Sequence, residues 1–233
     1  LQMAEALGEM GCKLAICARK PVELAEAQAK LEAQGFEVLA VPCDLSQASN
    51  VAPLVDAVLE RFGTIDILVN NAGATWGAPT ANYPDEAWRK VMTLNVDAPF
   101  YLSREVGRRV MIPAGRGKII NLASIAGLRG NPPGMQTIAY NTSKAALINF
   151  TRALAAEWGE FGINVNAICP GFFPSKMANA LIEKFADSLM ARTPLRRIGG
   201  EEDLKGAVVF LASDAARHIT GQAIAVDGGS SII

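Results

Sequence analysis

A tyrosine and a lysine stand four residues apart in the segment AYNTSKAAL, and this pair can move protons. If the segment is helical, Tyr140 and Lys144 share one face. A free phenol has a pKa of about 10 and is a poor acid or base at neutral pH. A neighbouring ammonium favours the phenolate and lowers that pKa, which predicts a general acid or base at Tyr140. The alternative is a packed ring beside the stem of an exposed lysine.

Two upstream residues could complete such a site. Ser124 follows the apolar run KIINLA, where its hydroxyl could hydrogen-bond a substrate carbonyl. In TLNVDAPF, Pro99 has no N–H and leaves the carbonyl of Asn95 without its helical partner. The opened turn could hold a water that supplies protons to the tyrosine. A simple kink in a surface helix is the alternative.

Further candidates stand where apolar runs end. Arg19 and Lys20 follow KLAICA, where a basic residue can hold a ribose 2′-phosphate; an ordinary solvated pair of charges is the alternative. Asp44 could accept a hydrogen bond from an adenine amino group or cap the next helix. The NNAG segment at 70–73 combines two amides with two small residues, which lets the backbone approach a flat ligand closely.

Alternating strands and helices must position these residues. The runs KLAICA, FEVLAVPC, IDILVNNAG, KIINLAS, INVNAICPG and QAIAVDGG predict six buried strands. The amphipathic stretches between them that predict helices are 21–35, 47–63, 85–110, 140–162 and 201–214. This alternation predicts an α/β fold, a doubly wound parallel sheet of the Rossmann type in three α/β/α layers. Ligands bind such sheets at the carboxyl ends of the strands, and we expect one catalytic domain over residues 1–233.

Composition excludes several classes of function. Half of the 233 residues are hydrophobic, the formal net charge is −1 and no long run of like charges occurs, so we expect neither a nucleic-acid nor a membrane partner. The cysteines lack the spacings of a zinc site, and His218 is the only histidine, so we expect no metal site. Small buried thiols and the lack of a run long enough to cross a bilayer predict a cytoplasmic protein.

The motifs together resemble the short-chain dehydrogenase/reductase family over essentially the whole chain. The resemblance rests on residues in the family's order: NNAG at 70–73, Asn95, Ser124, Tyr140 with Lys144, Pro170-Gly171 and Asp227-Gly228-Gly229. It implies a carbonyl reductase or alcohol dehydrogenase that uses NADP(H) in preference to NAD(H). Tyr140 would be the general acid and Lys144 a ligand of the nicotinamide ribose that lowers the tyrosine pKa. Ser124 would orient the carbonyl, and Asn95 would anchor a relay water.

The resemblance also implies the residues that contact the cofactor. These are Arg19, Lys20, Asp44, Leu45, Asn71, Ala72, Gly73, Tyr140, Lys144, Pro170, Gly171, Phe173 and Ser175. A basic residue at Arg19 marks a preference for NADP(H) in the family, and Asp44 would contact adenine. Ser175 stands where the family usually has threonine and keeps the hydroxyl that holds the carboxamide.

Residues 172–198 correspond to the family's substrate lid. Trp76, Met135, Phe172 and Met177 are expected to contact the substrate, although the phenylalanines could simply pack the lid onto the body. Members that reduce 3-oxoacyl-[acyl-carrier-protein] and gluconate 5-dehydrogenase-like members are the most similar. The expected substrate is therefore a 3-oxoacyl thioester, carrier-bound, or a small ketone, with a sugar acid or polyol as the alternative.

Two further expectations follow from the resemblance. The family implies a homotetramer. A cofactor-sensing binding protein without catalysis is the alternative from another functional class, but such a protein does not need Ser124, Tyr140 and Lys144 together.

The opening segment, LQMAEALGEMG, resembles the first helix of the family. In the family a strand and a glycine-rich turn precede this helix, and the turn's N–H groups hold the pyrophosphate. The sequence contains neither, and a core sheet without a central strand would have two open edges. We therefore expect the functional molecule to carry both before Leu1; an intact mass equal to that of the 233 residues would contradict this.

Overall fold

The structure is a computed structural model that describes residues 1–175 and 178–233, apart from the side chains of residues 180 and 184. Its strands are β1 (Leu14–Ala18), β2 (Val38–Pro42), β3 (Ile67–Asn70), β4 (Gly117–Leu122), β5 (Ile163–Pro170) and β6 (Ala223–Val226). Its α-helices are α1 (Gln2–Glu9), α2 (Pro21–Glu32), α3 (Val51–Phe62), α4 (Asp85–Met92), α5 (Ala98–Val106), α6 (Ile112–Ala114), α7 (Ile138–Trp158), α8 (Asn179–Ala191) and α9 (Lys205–Ala212). The expected lid at 172–198 thus contains α8.

Every pairing between these strands is parallel. β1 pairs with β2, and β3, β4, β5 and β6 pair in that order as a second sheet. β1 and β3 are not hydrogen-bonded to each other in the described part of the chain, but their side chains pack into common hydrophobic clusters. The predicted doubly wound parallel arrangement is confirmed, and it is divided between β1 and β3 into two sheets.

Helices cover both faces of the sheets because neighbouring strand residues point in opposite directions. On one face, Ile120 and Ile168 pack in a cluster with residues of α1 and α9. On the other face, Ile119 and Val165 pack with residues of α3, α5 and α7. The middle strands β4 and β5 are therefore buried from both sides and form a rigid base for the residues that follow them.

A short turn and a long helix follow β4. The turn is a 3₁₀ helix at Ile125–Gly127, and a Cβ added to Gly127 would lie 2.6 Å from the carbonyl carbon of Lys144. Only glycine therefore permits this close packing of the turn against α7. The packing brings the end of β4 beside the first turns of α7.

The helical segment from α4 to α6 contains two π-helical turns, at Thr93–Asp97 and Gly107–Met111. The first lies around Asn95 and just before Pro99, where the sequence predicts an opened helix. Among the described residues, no helix combines the length and the apolar character that a membrane span requires.

Candidate active site

Ser124 and Tyr140 meet at the end of β4. Ser124 is buried, its hydroxyl accepts a hydrogen bond from the Ala126 amide at 3.1 Å, and its side chain lies near enough to the Tyr140 phenol to lower the pKa of that phenol. Tyr140 occupies the first turn of α7, which the 3₁₀ turn holds against the strand end. A carbonyl oxygen placed between the two hydroxyls would receive two hydrogen bonds.

Lys144 lies one turn further along α7 and is only 4% exposed. Its ammonium donates a hydrogen bond to the Leu122 carbonyl at 2.6 Å and lies 5.6 Å from the centroid of the Tyr140 ring. Burial lowers the pKa of Lys144 to about 8. The lysine is therefore still largely protonated at neutral pH.

The expected lowering of the Tyr140 pKa is wrong for the chain by itself. Burial raises the pKa of Tyr140, although the side chain of Ser124 acts in the opposite direction. Lys144 makes its hydrogen bond to a main-chain carbonyl and lies over the ring, so desolvation dominates. Tyr140 is thus held protonated, which is the form that can donate a proton to a substrate.

Asn95 holds the loop after β3 against α7. Its side chain is fully buried, accepts a hydrogen bond from the Ala74 amide at 2.7 Å and donates to the Ala74 carbonyl at 2.9 Å. It also donates to the hydroxyl of Ser143 at 2.9 Å, and that hydroxyl donates to the carbonyl of Tyr140. The side chain of Asn95 therefore positions main chain on both sides of the site.

The NNAG segment begins at Asn70, the last residue of β3. Asn70 is buried, whereas Asn71 is exposed and Ala72 is half-buried. A Cβ added to Gly73 would lie 3.3 Å from Asn95 Oδ1 and 3.7 Å from Lys144 Nζ. The glycine therefore leaves the surroundings of the lysine open to a ligand.

The predicted adenosine-binding residues lie at the ends of β1 and β2. Arg19 is exposed, while Lys20 forms an ion pair with Glu23 at 2.9 Å. Asp44 accepts a hydrogen bond from the Ser46 amide at 3.0 Å, and this bond, chiefly, lowers its pKa. Leu45 packs with its side chain in a buried hydrophobic cluster. Asp44 thus closes a local turn and remains half-exposed; it does not cap the next helix, a 3₁₀ helix that begins after Gln47.

The ends of β5 and β6 approach each other closely. The Gly171 amide, just after Pro170, donates to the Val226 carbonyl at 3.0 Å, and a Cβ on Gly171 would lie 2.9 Å from the Cα of Asp227. Burial opposes ionisation of Asp227, but hydrogen bonds from the Ser231 and Gly229 amides lower its pKa overall. The Ser175 hydroxyl accepts from the Ala178 amide.

A cavity of about 210 Å³ opens beside Ser124 and Tyr140. Met135, Phe172, Phe173 and Ser175 line it, as expected of substrate and nicotinamide contacts. Trp76, which was expected to join them, is 45% exposed and is not part of this lining. Met177 lies outside the described residues.

A buried polar network behind the site has no counterpart in the sequence predictions. The Asn70 amide donates to the Ser103 hydroxyl at 3.1 Å and to Asn121 Oδ1 at 2.8 Å. Asn121 donates in turn to the Thr151 hydroxyl at 2.9 Å. Polar residues inside apolar strands, such as the asparagine in KIINL, are the signal that could have revealed it.

Two arginines, Arg129 and Arg192, also line the cavity and were not predicted. Nothing in their local patterns distinguishes them from surface arginines. Within residues 1–175 and 178–233 there is no cluster of three or more side chains suited to holding a metal ion.

Known proteins match this chain along nearly its whole length. A family model described as Enoyl-(Acyl carrier protein) reductase matches residues 1–231. Gluconate 5-dehydrogenase of Gluconobacter oxydans (strain 621H) is 36% identical over 234 residues, which cover 100% of this chain and 90% of that protein. A 3-oxoacyl-[acyl-carrier-protein] reductase of Staphylococcus epidermidis is 36% identical over 224 residues, covering 96% of this chain and 90% of the relative.

A solved structure shows the same architecture. The gluconate 5-dehydrogenase from Burkholderia cenocepacia J2315, in complex with NADP and tartrate, superimposes with a TM-score of 0.93 at 33% identity. The alignment covers 100% of this chain and 90% of that one.

Proposed function

The chain belongs to the short-chain dehydrogenase/reductase family, and from that premise we propose that it reduces a carbonyl group with NADPH, or oxidises the corresponding alcohol with NADP⁺. The observation that carries the proposal is that the side chains of Ser124 and Tyr140 lie together in the lining of one cavity. A binding protein that only senses the cofactor has no use for this pair.

The proton chemistry follows from the positions of the two hydroxyls. Ser124 donates to the substrate carbonyl oxygen and orients it. Tyr140, kept protonated by burial, donates its proton to that oxygen as negative charge develops there, and the phenolate that remains is reprotonated from solvent. In the oxidation direction, Tyr140 first releases its proton to solvent, and the phenolate then accepts the proton of the alcohol.

The residues around Lys144 fit a nicotinamide cofactor. The ammonium has three donors, and in the described part of the chain Leu122 is its only acceptor, so two donors remain for the hydroxyls of a ribose. Gly73 leaves the space beside them open. When bound, the cofactor supplies or accepts the hydride that balances the proton at Tyr140. Lys144 holds the ribose and places a positive charge near the phenolate that forms.

Arg19 favours the phosphorylated cofactor. Its side chain is exposed at the end of β1, whereas that of the neighbouring Lys20 is paired with Glu23. A guanidinium presents a fork of donors that matches a phosphate, so Arg19 would hold the 2′-phosphate of NADP(H). The solved relative that carries NADP is consistent with this choice.

Asn95 would take part in the supply of protons to Tyr140 and also holds the loop after β3 in place. The π-helical turn around it opens the helix before Pro99, which has no N–H to offer the Asn95 carbonyl. A water on that carbonyl would connect the Lys144 region to solvent and restore the proton to Tyr140.

Two substrate classes fit the relatives. One is a 3-oxoacyl thioester or small ketone, after the 3-oxoacyl-[acyl-carrier-protein] reductase, and the other is a sugar acid, after the gluconate 5-dehydrogenases. The ketone that Ser124 and Tyr140 would bind is present in the first class and in the oxidised, keto form of the second.

The protein would act as a homotetramer in the cytoplasm. Trp88 and Phe100 are 37% and 42% exposed on the helical segment that runs from α4 to α5, and Phe100 packs edge-on against Phe150. An exposed aromatic surface of this kind is typical of a subunit interface. All four cysteines are free thiols, which suits a reducing compartment. Light scattering on the purified protein tests the tetramer.

The proposed reaction is tested by following NADPH consumption with a panel of ketones. The panel contains a 3-oxobutanoyl thioester, ethyl acetoacetate and 5-keto-D-gluconate, and NADH replaces NADPH in a parallel series. We expect turnover with at least one ketone and a preference for NADPH. Tight NADPH binding without turnover of any ketone would favour the cofactor-sensing alternative.

A further inference from the structure

We infer that the substrate carries a carboxylate, and that Arg192 and Arg129 are the residues that hold it. This inference rests on the proposed reductase function and names its substrate class. It derives from the charges, the size and the supporting hydrogen bonds of the cavity beside Tyr140.

The cavity is positively charged. Arg129 and Arg192 line it, and no aspartate or glutamate does so among the described residues. The other polar groups of the lining are neutral, including the hydroxyls of Thr75, Ser175 and Ser230. Because no acidic side chain of this lining offsets the two positive charges, an anionic ligand is attracted to both, whereas a neutral ketone gains only ordinary hydrogen bonds.

Arg129 is held in place by the segment that precedes α7. Asn131 and Asn141 exchange two side-chain hydrogen bonds, at 2.8 and 3.0 Å, and Asn141 also donates to the Ala126 carbonyl at 2.9 Å. Asn141 adjoins Tyr140 on α7, so these bonds tie the Arg129 segment to the helix of the catalytic tyrosine. Arg129 donates one hydrogen bond to the Ile233 main-chain oxygen at 3.0 Å, and a guanidinium has five donors.

Arg192 approaches the same cavity from the end of α8. The next residue, Thr193, is buried and donates its hydroxyl to the Leu189 carbonyl at 2.8 Å. A Cβ on Gly228 would lie 2.7 Å from the Thr193 methyl group, so Thr193 is packed against the segment after β6. The Arg192 side chain is exposed, and its guanidinium has no ion pair with any described carboxylate. It is therefore available to a ligand.

The size of the cavity favours a compact acid over an acyl chain. Its volume of about 210 Å³ is small for a ligand pocket, which usually offers roughly 300–1,000 Å³. A six-carbon keto acid is of a suitable size, and its hydroxyl groups match those of Thr75 and Ser230. A carrier-bound thioester places its charged groups far from its ketone, outside a cavity of this volume.

The test compares an anionic ketone with neutral ones. The probes are 5-keto-D-gluconate, the neutral ketose D-fructose and the N-acetylcysteamine thioester of 3-oxobutanoate. The variants are Arg192→Gln, Arg129→Gln and the conservative Arg192→Lys, with Arg217→Gln as a matched control because Arg217 is exposed and does not line the cavity. Calorimetric binding of D-gluconate and neutral D-sorbitol to the NADP⁺ complex provides a readout that needs no turnover.

We expect the wild type to prefer the keto acid. Each Arg→Gln variant should raise the KM for 5-keto-D-gluconate, and the Kd for D-gluconate, by about tenfold or more, which is the usual value of a charge-assisted hydrogen bond. The kcat and the affinity for NADPH should change little, Arg192→Lys should recover part of the loss, and Arg217→Gln should behave as the wild type.

Two outcomes would overturn the inference. One is a wild type that prefers the neutral thioester, and the other is an unchanged KM for the keto acid in both Gln variants. In either case the ketone reduction itself would stand. A wild type that turns over none of the three ketones would instead refute the proposed function, and the gluconate binding data would still show whether the arginines recognise a carboxylate.

Discussion

The ammonium of Lys144 lies 5.6 Å from the centroid of the Tyr140 ring and donates a hydrogen bond to the Leu122 carbonyl at 2.6 Å. The lysine is thereby fixed at the end of β4, with its free donors beside Gly73. Burial dominates the protonation of the tyrosine and keeps the phenol in its acid form. Tyr140 would therefore donate the proton and Lys144 would bind the cofactor ribose. Substituting each residue separately distinguishes the two roles.

Replacement of Tyr140 by phenylalanine should abolish turnover and preserve cofactor binding. The variant removes only the hydroxyl, and a positioned general acid is typically worth about 10²–10⁴-fold in rate. The kcat is measured with the best ketone, and NADPH binding is measured by energy transfer from tryptophan. A kcat within a few-fold of the wild type would exclude Tyr140 as the acid.

Replacement of Lys144 by methionine should change how stability depends on pH. The pKa of Lys144 is lowered from 10.5 to about 8 in the folded chain, so the unfolded chain binds more protons above the folded pKa. Rising pH therefore stabilises the wild type relative to the variant, by about 1 kcal/mol between pH 7 and 9. Denaturant unfolding of both proteins at pH 7 and pH 9 measures the difference between their free energies of unfolding. A difference that is the same at both pH values would contradict the lowered pKa of the buried Lys144.

Replacement of Asn95 by alanine should destabilise the protein by about 2–4 kcal/mol, because it leaves the amide and carbonyl of the half-buried Ala74 and the buried Ser143 hydroxyl without this partner. The kcat should fall as well, since the same side chain positions Ser143. Unfolding in urea gives the free energy. The exposed Asn82→Ala variant is the control and should lie within about 0.5 kcal/mol of the wild type; equal stability of both variants would show that the Asn95 bonds contribute nothing net.

Replacement of Gly127 by alanine should separate Ser124 from Tyr140. The new Cβ would lie 2.6 and 2.7 Å from main-chain atoms of Lys144 and Ala145, so the turn must move away from α7. We expect a loss of about 1–3 kcal/mol of stability, and a fall of about tenfold or more in kcat/KM. Gly206→Ala, in α9 where the Cβ meets nothing within 4 Å, should instead be neutral or stabilising. Full activity of the Gly127 variant would show that the close packing is dispensable.

Replacement of Arg19 by glutamine should weaken NADPH binding by about tenfold or more and leave NADH binding nearly unchanged, because only NADPH carries the 2′-phosphate. Lys20→Gln is the matched control, since Lys20 is already paired with Glu23, and should have a smaller effect. Both are measured by fluorescence titration. Equal losses for the two cofactors would mean that Arg19 does not read the phosphate.

Much of the fold could be predicted from local patterns. The six apolar runs correspond to the six strands, because a strand buried on both faces must be almost entirely apolar. The amphipathic stretches contain α2, α3, α4, α5 and α9 and most of α7, whereas α6 and α8 lie outside them. The opened helix at Asn95 was also readable, since the missing N–H of Pro99 is a property of one residue.

The candidate site was only partly predictable. Ser124 and Tyr140 could be named because spacing and strand ends indicate shared faces and edges. The raised pKa of Tyr140 could not, because desolvation depends on every element packed around the ring. Arg192 and Arg129 were missed for a similar reason: they come from segments far apart in sequence and meet only at the cavity.

The sequence by itself determined the chemistry that is possible, through the types of a few residues and the periodicity of the elements that carry them. The tertiary structure decided that Tyr140 stays protonated, that the side chain of Asn95 holds the loop after β3 against α7, and that the cavity carries a positive charge. These depend on burial and on contacts between distant segments, and both properties exist only after the chain has packed.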